Sequence, residues 1–427
     1  MEIKEIEHGT WSDVAARRLL GRLFETAIAK ADPLKILSAH LPEPPQGRCV
    51  VVGAGKAAAA MAEAVEAAWP AVDLSGVVVV PYGYGGASKR IQILEAAHPV
   101  PDAASEKAAR AMLDSVQGLS QDDLVLALIS GGGSATMALP AAGLTLADKQ
   151  VTNRVLLKSG LDIRMMNIIR RRLSGIKGGR LAAAARPARV VTLGISDIPG
   201  DDPAAIASGP TLPDSDAAMD LTPILTRIGH LLPQAVVDCL SRPLTVRAEP
   251  LLTDFRMIAT PRQSLQAAAA VAREAGVDAV ILGDDLEGEA SEAGAQMASL
   301  ARKRVDRPTI FLSGGETTVT IGDGKAGRGG RNTEFLLALA QALDGAPGVW
   351  AIAGDTDGED GANVGGAGAV IDPTTIARGA AAGLDIAESL AGHDSGSYFA
   401  KVGDLIVTGP TRTNVNDFRA ILVIPQA

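Results

Sequence analysis

Five glycine-rich turns, each following an apolar stretch, carry the residues that could do chemistry in this chain. They are GAGK at 53–56, SGGGS at 130–134, SDIPGDD at 196–202, SGGE at 313–316 and GDTDGEDG at 354–361, and a sixth, GRGGRN at 327–332, opens a helix-like run. A strand followed by a glycine turn and a helix exposes backbone N–H groups to an anionic ligand. Three of the turns add a charged side chain where a phosphate or its metal needs one. The pattern therefore predicts chemistry on a phosphorylated substrate.

The first turn is a candidate phosphate site. Gly53 and Gly55 let a ligand approach the backbone closely, and Lys56 places an ammonium group inside the turn. A dinucleotide site would need an acidic residue at the end of the next strand, and GVVVV is followed by PYGYGG instead. The P-loop pattern G-x-x-x-x-G-K-[ST] does not occur. A solvated turn lysine is the structural alternative for Lys56.

The second turn is the stronger phosphate-loop candidate. Three consecutive glycines can form a concave nest of N–H donors, and the two flanking hydroxyl groups add further donors. The residues concerned are Ser130, Gly131, Gly132, Gly133 and Ser134. A flexible turn is the alternative, and the G-x-S-x-G pattern of a serine nucleophile is absent.

Charged residues near the other turns complete the candidate site. The run RRRLSGIKGGRLA at 170–182 gathers five cations, among them Arg170 and Lys177, in a chain of net charge −9. Such a cluster would attract an anionic substrate, although a solvated helix face is the alternative. Arg331 offers a planar fork suited to bidentate phosphate binding. His98, in a His-Pro-x-Pro turn, is interpreted as structural.

Carboxylates follow two of the strand-like stretches. Mg²⁺ prefers one or two carboxylates together with substrate phosphates and water, and Asp197, Asp355 and Asp357 are placed to supply them. The alternative is that each Asp caps its own turn. No H-E-x-x-H motif or Cys/His cluster occurs, so zinc is not implied.

Alternating strand-like and helix-like stretches predict an α/β fold. CVVVGAG, GVVVV, DLVLALIS and ARVVTLGIS are continuous apolar strands, typical of a mostly parallel sheet that is covered on both faces. Residues 11–40 are predicted as an amphipathic helix, and the polar stretch 241–250 with its two prolines as a domain boundary. The same alternation resumes beyond it.

Composition narrows the function classes. The negative net charge and an aromatic content of 3 % argue against nucleic-acid binding. The two cysteines, Cys49 and Cys239, lie far apart and outside any metal or redox motif. The first residues lack a signal-peptide pattern, and no apolar run reaches the roughly 18 residues of a membrane span. We therefore expect a cytoplasmic enzyme.

Taken together, the motifs resemble those of the class II glycerate kinases, the glycerate 2-kinase family with a C-terminal MOFRL domain. The matching stretches are VVGAGKA, HPVPDAAS, LISGGGSA, RRLSGIKGGRLA, ISDIPGDDPAAIASGPT, SGGETTVTI, GRGGRNTEF and GDTDGEDG. As an ordered set that spans most of the chain they are highly specific. Many similar sequences also carry the label hydroxypyruvate reductase.

The resemblance implies ATP-dependent phosphorylation of D-glycerate at its 2-hydroxyl, which gives 2-phosphoglycerate and ADP, with Mg²⁺ as cofactor. It implies a Rossmann-like glycerate kinase domain over 1–242 and a smaller α/β domain over 243–427 that contains the MOFRL region at about 305–415. The family's catalytic lysine and active-site arginine map onto Lys56 and Arg331, and we add Asp197 as a metal ligand or proton acceptor. Nucleic-acid and membrane partners are not expected, and a homodimer stays open.

The remaining site assignments follow from this framework. Phosphate or substrate contacts are assigned to Gly53, Gly55, residues 130–134, Arg170 and Lys177. Metal contacts are assigned to Asp197, Asp355 and Asp357. Nucleotide contacts are assigned to Ser313, Gly314, Gly315, Glu316, Gly330 and Asn332.

Two departures from the family pattern concern local details. The stretch after the acidic turn reads ANVGGAGA around Asn363, where the family usually has a further Asp. Arg412 stands where the late turn usually has its second glycine. An NAD(P)H-dependent hydroxypyruvate reductase and a non-catalytic sensor of sugar phosphates or hydroxy acids are the rival interpretations.

Overall fold

The computed structural model describes residues 11–242, 251, 253–322, 326–361 and 364–426. They form two compact units. One unit runs from Pro33 to Ile258, and the other combines the segment that ends at Asp32 with the segment that begins at Ala259. Helix α1 (Asp13–Lys30) therefore belongs with the C-terminal segment. Most of the predicted boundary at 241–250 lies outside the described residues, and the predicted division at 242/243 stays a prediction.

The Pro33–Ile258 unit, called the first unit below, is built on a six-stranded sheet in the order β3-β2-β1-β4-β5-β6. The pairings among the first five strands are parallel. The strands are β1 (Cys49–Ala54), β2 (Leu74–Pro81), β3 (Gln92–Ala96), β4 (Leu124–Ile129), β5 (Arg189–Ile195) and β6 (Thr253–Ala259). Every residue of β1 and β4 is buried, as expected for central strands whose two faces are covered. The predicted Rossmann-like α/β fold is confirmed.

Helices surround this sheet and also form a separate cluster. They are α2 (Pro33–Ile36), α3 (Ala58–Ala68), α4 (Ala103–Ser115), α5 (Gly133–Thr136), α6 (Leu146–Lys158), α7 (Ile163–Arg172), α8 (Arg180–Ala184), α9 (Thr222–Ile228) and α10 (Gln234–Ser241). Leu156, Ile168, Ile228 and Val236 belong to a small apolar core shared by α6, α7, α9 and α10. This core packs α6 against α7, and α7 carries the first three cations of the run at 170–182.

The second unit contains a mixed six-stranded sheet in the order β13-β12-β11-β14-β9-β7 and a two-stranded β8–β10 pair. Its strands are β7 (Asp278–Gly283), β8 (Gly288–Glu289), β9 (Thr309–Ser313), β10 (Thr317–Thr318), β11 (Val349–Asp355), β12 (Gly368–Ile371), β13 (Leu405–Ile406) and β14 (Asp417–Val423). Within the six-stranded sheet the described pairings are antiparallel except β7–β9, and the separate β8–β10 pair is also parallel. The predicted mostly parallel sheet is the one in the Pro33–Ile258 unit, and the predicted second α/β domain is confirmed with a mostly antiparallel sheet. The described residues between β11 and β12 contain no helix, and antiparallel neighbours need no helical crossover.

Two apolar cores cover this second sheet. One contains residues of α1 and α11 (Pro261–Glu274). The other contains residues of α12 (Ala290–Ala301) and α13 (Arg331–Leu343). The remaining helices are α14 (Thr375–Ala381), α15 (Ile386–Ala391) and α16 (Ser395–Val402). The helix predicted over 11–40 ends at Lys30, three residues before Pro33, because proline disfavours helical backbone in the residue before it. None of the described helices has the length and apolar character needed to cross a membrane.

Candidate active site

Both predicted phosphate loops leave the first sheet where its strand order reverses. β1 runs into the GAGK turn and its neighbour β4 runs into the SGGGS turn, with Ala54 paired beside Ile129. In open parallel sheets, ligands bind outside the carboxyl ends of the strands at this reversal. The fold therefore brings together the turns that contain Gly53, Gly55 and Lys56 on one side and residues 130–134 on the other.

The two turns are hydrogen-bonded to each other. The Lys56 N–H donates to the Gly131 carbonyl at 2.9 Å, and the Ala57 N–H donates to Ser130 Oγ at 3.0 Å. Gly55 has a φ of 119°, and a side chain there would collide with Ser130. In this conformation the first turn supports the second, and these two N–H groups are occupied by protein acceptors.

The second turn keeps open backbone donors. The N–H groups of Gly131, Gly132 and Ser134 make no hydrogen bond to any residue that the structure describes, whereas Gly133 donates to the Ser130 carbonyl at 3.2 Å. Successive unpaired N–H groups in a tight turn form an anion-binding nest. The turn therefore has the local geometry that the sequence predicted for it.

Lys56 and His98 border this nest. A Cβ atom added to Gly132 would lie 3.6 Å from Lys56 Cγ and 3.2 Å from His98 Nε2. A lysine ammonium and an imidazole can both contact an anion held by the loop. The His-Pro-x-Pro turn indicated a structural role for His98, and only the folded chain brings its ring to the SGGGS turn.

Ser134 links the nest to two other loops. Lys177 Nζ donates to the Ser134 carbonyl at 2.6 Å and to Ser134 Oγ at 2.8 Å. Ser134 Oγ also lies 3.1 Å from Ser208 Oγ. The Lys177 side chain is buried, and this burial, followed by the nearby charges of Lys149 and Arg170, holds the pKa of Lys177 well below its ordinary value. Ser208 lies within the quoted ASGPT stretch, but no role was predicted for it.

The five-cation run separates into two groups. Arg171 forms ion pairs with Asp214 at 2.9 Å and Asp216 at 3.1 Å, and Arg172 donates to backbone carbonyls, so both are structural. Arg170 instead donates to neutral amide oxygens. The alternative of a solvated basic face therefore does not apply to the buried Arg171 and Arg172.

Asp197 lies just beyond the end of β5 and is partly buried. Because β5 is the neighbour of β4, Asp197 belongs to the same carboxyl edge of the sheet as the two glycine turns. Its neighbour Ser196 accepts a hydrogen bond from the Ile198 N–H at 3.4 Å, which shapes the turn.

In the second unit, Arg331 is held by three carboxylates. Its guanidinium donates to Asp417 Oδ1 at 2.9 Å, Glu316 Oε1 at 2.6 Å and Asp355 Oδ2 at 2.8 Å. Burial alone would lower the pKa of Arg331, but Asp417, Asp355 and Glu316 raise it overall. Glu316 is the exposed member of the set, with 54 % of its side-chain surface accessible. The fork predicted to bind phosphate is thus engaged by protein carboxylates in this conformation.

An acidic side chain caps the N-terminus of helix α13. Asp360 accepts from the N–H groups of Asn332 at 2.9 Å and Thr333 at 2.8 Å, and Asn332 Nδ2 also donates to Asp417 at 2.8 Å. Burial raises the pKa of Asp360 above its ordinary value. Gly330 is required because its backbone passes directly against Asp360. Asn332 therefore lies within a buried polar network.

The other predicted nucleotide turn packs against the chain near residue 286. Ser313 ends β9 and is buried, while Gly314 accepts from the Leu286 N–H at 3.3 Å. A side chain at Gly315 would collide with Leu286. The turn thereby places Glu316 beside Arg331.

Asp355 and Asp357 shape their own turn. Asp355 Oδ1 accepts from the Asp357 N–H at 3.1 Å, and Asp357 Oδ1 accepts from the Glu359 N–H at 2.8 Å. These are Asx turns, the alternative that the sequence left open. Carboxylate oxygens suit Mg²⁺, but Asp355 also pairs with Arg331, and no group of three or more metal-ligating side chains occurs among the described residues. The turn therefore does not fit a protein-only magnesium cage.

Comparison with known proteins decides the family. Residues 19–241 match the family described as a domain of unknown function, DUF4147, and residues 309–417 match the MOFRL family. A protein of Pyrococcus horikoshii named "Glycerate 2-kinase" is 38 % identical over 88 % of this chain and 88 % of its own length. The chain belongs to the class II glycerate kinase family.

Two further relatives carry different functional names. A glycerate kinase crystal structure from Thermotoga maritima superimposes with a TM-score of 0.86 at 35 % identity, over 96 % of this chain and 100 % of that chain. An Agrobacterium vitis protein named "Putative hydroxypyruvate reductase" is 54 % identical over 97 % of this chain and 96 % of its own length. Both names occur within the class II glycerate kinase family, so the chemistry at the site must distinguish between them.

The two departures from the family pattern have different outcomes. Arg412 adopts a φ of 61°, in the left-handed region that favours glycine, which explains the glycine usual at this position. Asn363 lies outside the described residues.

The carboxylates Asp360 and Asp417 were not singled out from sequence, although Asp360 belongs to the quoted GDTDGEDG turn.

Proposed function

We propose that this class II glycerate kinase transfers the γ-phosphoryl group of ATP to the 2-hydroxyl of D-glycerate and releases 2-phosphoglycerate and ADP. One observation carries the proposal: two glycine turns meet at the strand reversal, and Lys56 borders open N–H donors there. Phosphoryl transfer depends mainly on positioning and on neutralising charge, which is the chemistry that these groups supply.

Lys56 and Arg331 are the proposed catalytic residues. The Lys56 ammonium would neutralise negative charge on the transferring phosphoryl group while the 131–134 backbone holds its oxygens. Arg331 would act once an anionic ligand displaces Glu316, the exposed member of its three carboxylate partners. Exchange of a surface ion pair for a phosphate contact costs little, because exposed pairs contribute about 1 kcal/mol or less.

The acceptor end is assigned to the first unit. Arg170 and Lys177 would bind the glycerate carboxylate, and Asp197 would accept the proton of the 2-hydroxyl or hold a metal ion. Mg²⁺, when bound with ATP, would neutralise charge on the β- and γ-phosphates. The turns at 313–316 and 330–332 are the proposed nucleotide contacts, and Asp357 is a proposed metal contact.

An enolase-coupled assay tests the reaction directly. The enzyme is incubated with ATP, Mg²⁺ and D-glycerate, with enolase present and phosphoglycerate mutase left out. Phosphoenolpyruvate without mutase means phosphorylation at the 2-hydroxyl and supports the proposal. Signal that requires mutase means a 3-kinase and overturns the position. Silence in both, with a ligand-induced shift in melting temperature, would favour a non-catalytic sensor.

The same assay tests the catalytic residues. Replacing Lys56 by Ala should lower kcat about 100- to 1000-fold, as loss of one charge-stabilising group does in other enzymes. Lys107→Ala, at an exposed site on α4, is the matched control and should retain activity. For Arg331 we choose Arg331→Lys, because alanine would remove one cation from each of the buried carboxylates Asp355 and Asp417. Turnover within a few-fold of wild type in both variants would overturn these roles.

The reductase reading is the second candidate, because the 54 % identical relative carries that name. The strand order is also that of a dinucleotide-binding sheet. Against it, β2 ends at Pro81 and is followed by Tyr82 and Gly83, with no acid for the ribose. NADH oxidation with hydroxypyruvate, measured alongside the kinase assay, decides between the two activities.

A further inference from the structure

Among the residues that the structure describes, three cations in the first unit have neutral hydrogen-bond partners. Lys149 on α6 donates to the Leu173 carbonyl at 3.1 Å. Arg170, at the end of α7, donates to Asn153 Oδ1 at 2.6 Å and to Asn167 Oδ1 at 3.1 Å. Lys177 donates only to the carbonyl and hydroxyl oxygens of Ser134. Each of these three side chains is thus hydrogen-bonded to neutral dipoles and not to a carboxylate.

The acidic residues nearby are engaged elsewhere. Asp214 and Asp216 pair with Arg171, and Asp216 also pairs with Arg164. Within the described part of the chain, no carboxylate lies within ion-pair distance of Lys149, Arg170 or Lys177. Lys177 is only 4 % exposed. A buried cation without a counter-charge is costly, so an anionic ligand that supplied the counter-charge would be bound favourably here.

Contacts between α6 and α7 place Lys149 and Arg170 in one region, because Lys149 reaches the Leu173 carbonyl after α7 and Arg170 reaches Asn153 on α6. The direction of the pKa shifts agrees with this placement. Burial, followed by the charges of Arg180 and Arg170, lowers the pKa of Lys149 from 10.5 to about 8, and Cys239 on α10 acts weakly in the opposite direction. Burial, then Lys149 and then Arg170, lowers the pKa of Lys177. Mutual repulsion of this kind disappears when an anion enters between the cations.

A second, independent observation also points to an anion. The cluster reaches the SGGGS turn through Ser134, whose own N–H is open along with those of Gly131 and Gly132. Open donors and uncompensated cations therefore occur side by side. A ligand with one anionic group and a second oxygen-rich end would satisfy both.

We propose that Lys149, Arg170 and Lys177 form a pocket that binds the carboxylate group of a small hydroxy acid, and that this ligand supplies the counter-charge that the protein lacks there. Lys149 is the new member, since no motif in the sequence marked it. The inference rests on the proposed function only in taking D-glycerate as the ligand. Inorganic phosphate shares the anionic chemistry and is a competing occupant to be tested.

Proton uptake is the measurable consequence. A bound carboxylate would raise the pKa of Lys149 from about 8 back toward 10.5, so at pH 9 binding should draw protons from solution. For the same reason, affinity should fall as the pH rises above about 8. The groups that face Lys149 are Arg170, Lys177, Arg180 and the Cys239 thiol, and none of them is a carboxylate.

Calorimetric titration of the full-length enzyme with D-glycerate, without nucleotide, tests the pocket. Measurement at pH 9 in buffers of different ionisation enthalpy gives the number of protons taken up for each ligand bound. We expect net uptake in the wild type. Lys149→Met should weaken binding by about 10- to 100-fold and reduce the uptake. Lys149→Arg keeps the charge, so it should retain most of the affinity with smaller uptake.

One control variant and one control ligand test whether binding depends on Lys149 and on the carboxylate. Lys158→Met, at an exposed position on the same helix, should leave both affinity and uptake unchanged, and glycerol, which lacks the carboxylate, should not bind. Equal affinity of wild type, Lys149→Met and Lys158→Met without proton uptake would overturn the pocket. Binding of inorganic phosphate but not D-glycerate, with the same dependence on Lys149, would overturn the carboxylate assignment.

The outcomes also separate this proposal from the kinase proposal. If the enolase-coupled assay is silent but D-glycerate binds with proton uptake, the pocket stands and the kinase activity falls. If the assay is positive and Lys149→Met leaves the KM for D-glycerate unchanged, the kinase activity stands and the pocket falls.

Discussion

At the scale of single residues, the structure assigns a second role to several groups that the motifs marked for ligands. Arg331 binds three carboxylates, Asp355 caps its own turn, and Asn332 lies in a buried network closed by Asp360. Their residue types were predictable from the motifs. Their partners were not, because Asp417 and Asp360 come from other parts of the chain.

Arg412 allows a prediction about one backbone conformation. Its φ of 61° costs a non-glycine residue roughly 1 kcal/mol. Arg412→Gly should therefore raise the thermal unfolding midpoint, while Arg412→Ala removes the side chain but keeps the strain and should not. Calorimetric or fluorescence melts of the three proteins check this. A midpoint that falls in both variants would mean that the contacts of the arginine outweigh the strain.

At the scale of elements, the first unit illustrates how two loops make one site. The apolar stretches of the sequence predict β1 and β4 as buried strands, and the glycine turns after them are visible in the sequence. That β1 and β4 are neighbours, with GAGK supporting SGGGS, depends on the strand order 3-2-1-4-5-6. The same order brings the HPVP and ASGP turns to the loop edge, which gives His98 and Ser208 contacts that spacing did not suggest.

The contact between the two turns yields an element-level prediction. Gly55→Ala should destabilise the protein and lower activity, because the new methyl group collides with Ser130 and distorts the SGGGS turn. Gly83→Ala is the matched control: its φ of 85° imposes a similar backbone cost of about 1 kcal/mol, with no atom within 4 Å of the added carbon. Melting midpoints and the KM for D-glycerate distinguish them. Similar losses in both variants would argue against the loop contact.

At the scale of the whole molecule, the chain is not divided into consecutive halves. Helix α1 packs in the same core as α11 and the second sheet, so an N-terminal segment stabilises the C-terminal unit. A cluster of ion pairs also links α1 to the C-terminal segment of this unit. Arg17 on α1 bonds Asp404 at 3.0 Å and also Asp372, and Arg378 bonds both of these carboxylates.

Removing Arg17 should show how much this ion-pair cluster stabilises the second unit. Asp372 and Asp404 are nearly fully buried, and Arg17→Met would leave Arg378 as their one cation among the described residues, at a cost of about 2–4 kcal/mol. Arg22→Met, an exposed position on α1, is the control. Thermal melts at pH 7 should show a lower midpoint for Arg17→Met only. An unchanged midpoint would mean that α1 is held by its apolar face.

The pH dependence of that loss has a definite sign. Burial raises the pKa of Asp372, but hydrogen bonds from Thr374 and Arg17 lower it overall below its ordinary 3.8. A lowered carboxyl pKa contributes stability that is present above the ordinary value and is lost as the pH falls through the folded-state value. The gap between wild type and Arg17→Met should therefore be full at pH 7 and should narrow below about pH 4.

The sequence by itself determined the α/β class, the glycine turns at strand ends and the family, because apolar periodicity and turn chemistry are local and the motifs occur as an ordered set. Tertiary structure decided what no local pattern contains. It decided that β11, β12 and β14 pair antiparallel, that α1 joins the second unit, and which charges have partners. Lys149 shows the reason most clearly: its significance depends on Arg170, Lys177 and the missing carboxylate around them, which is a property of their arrangement in space.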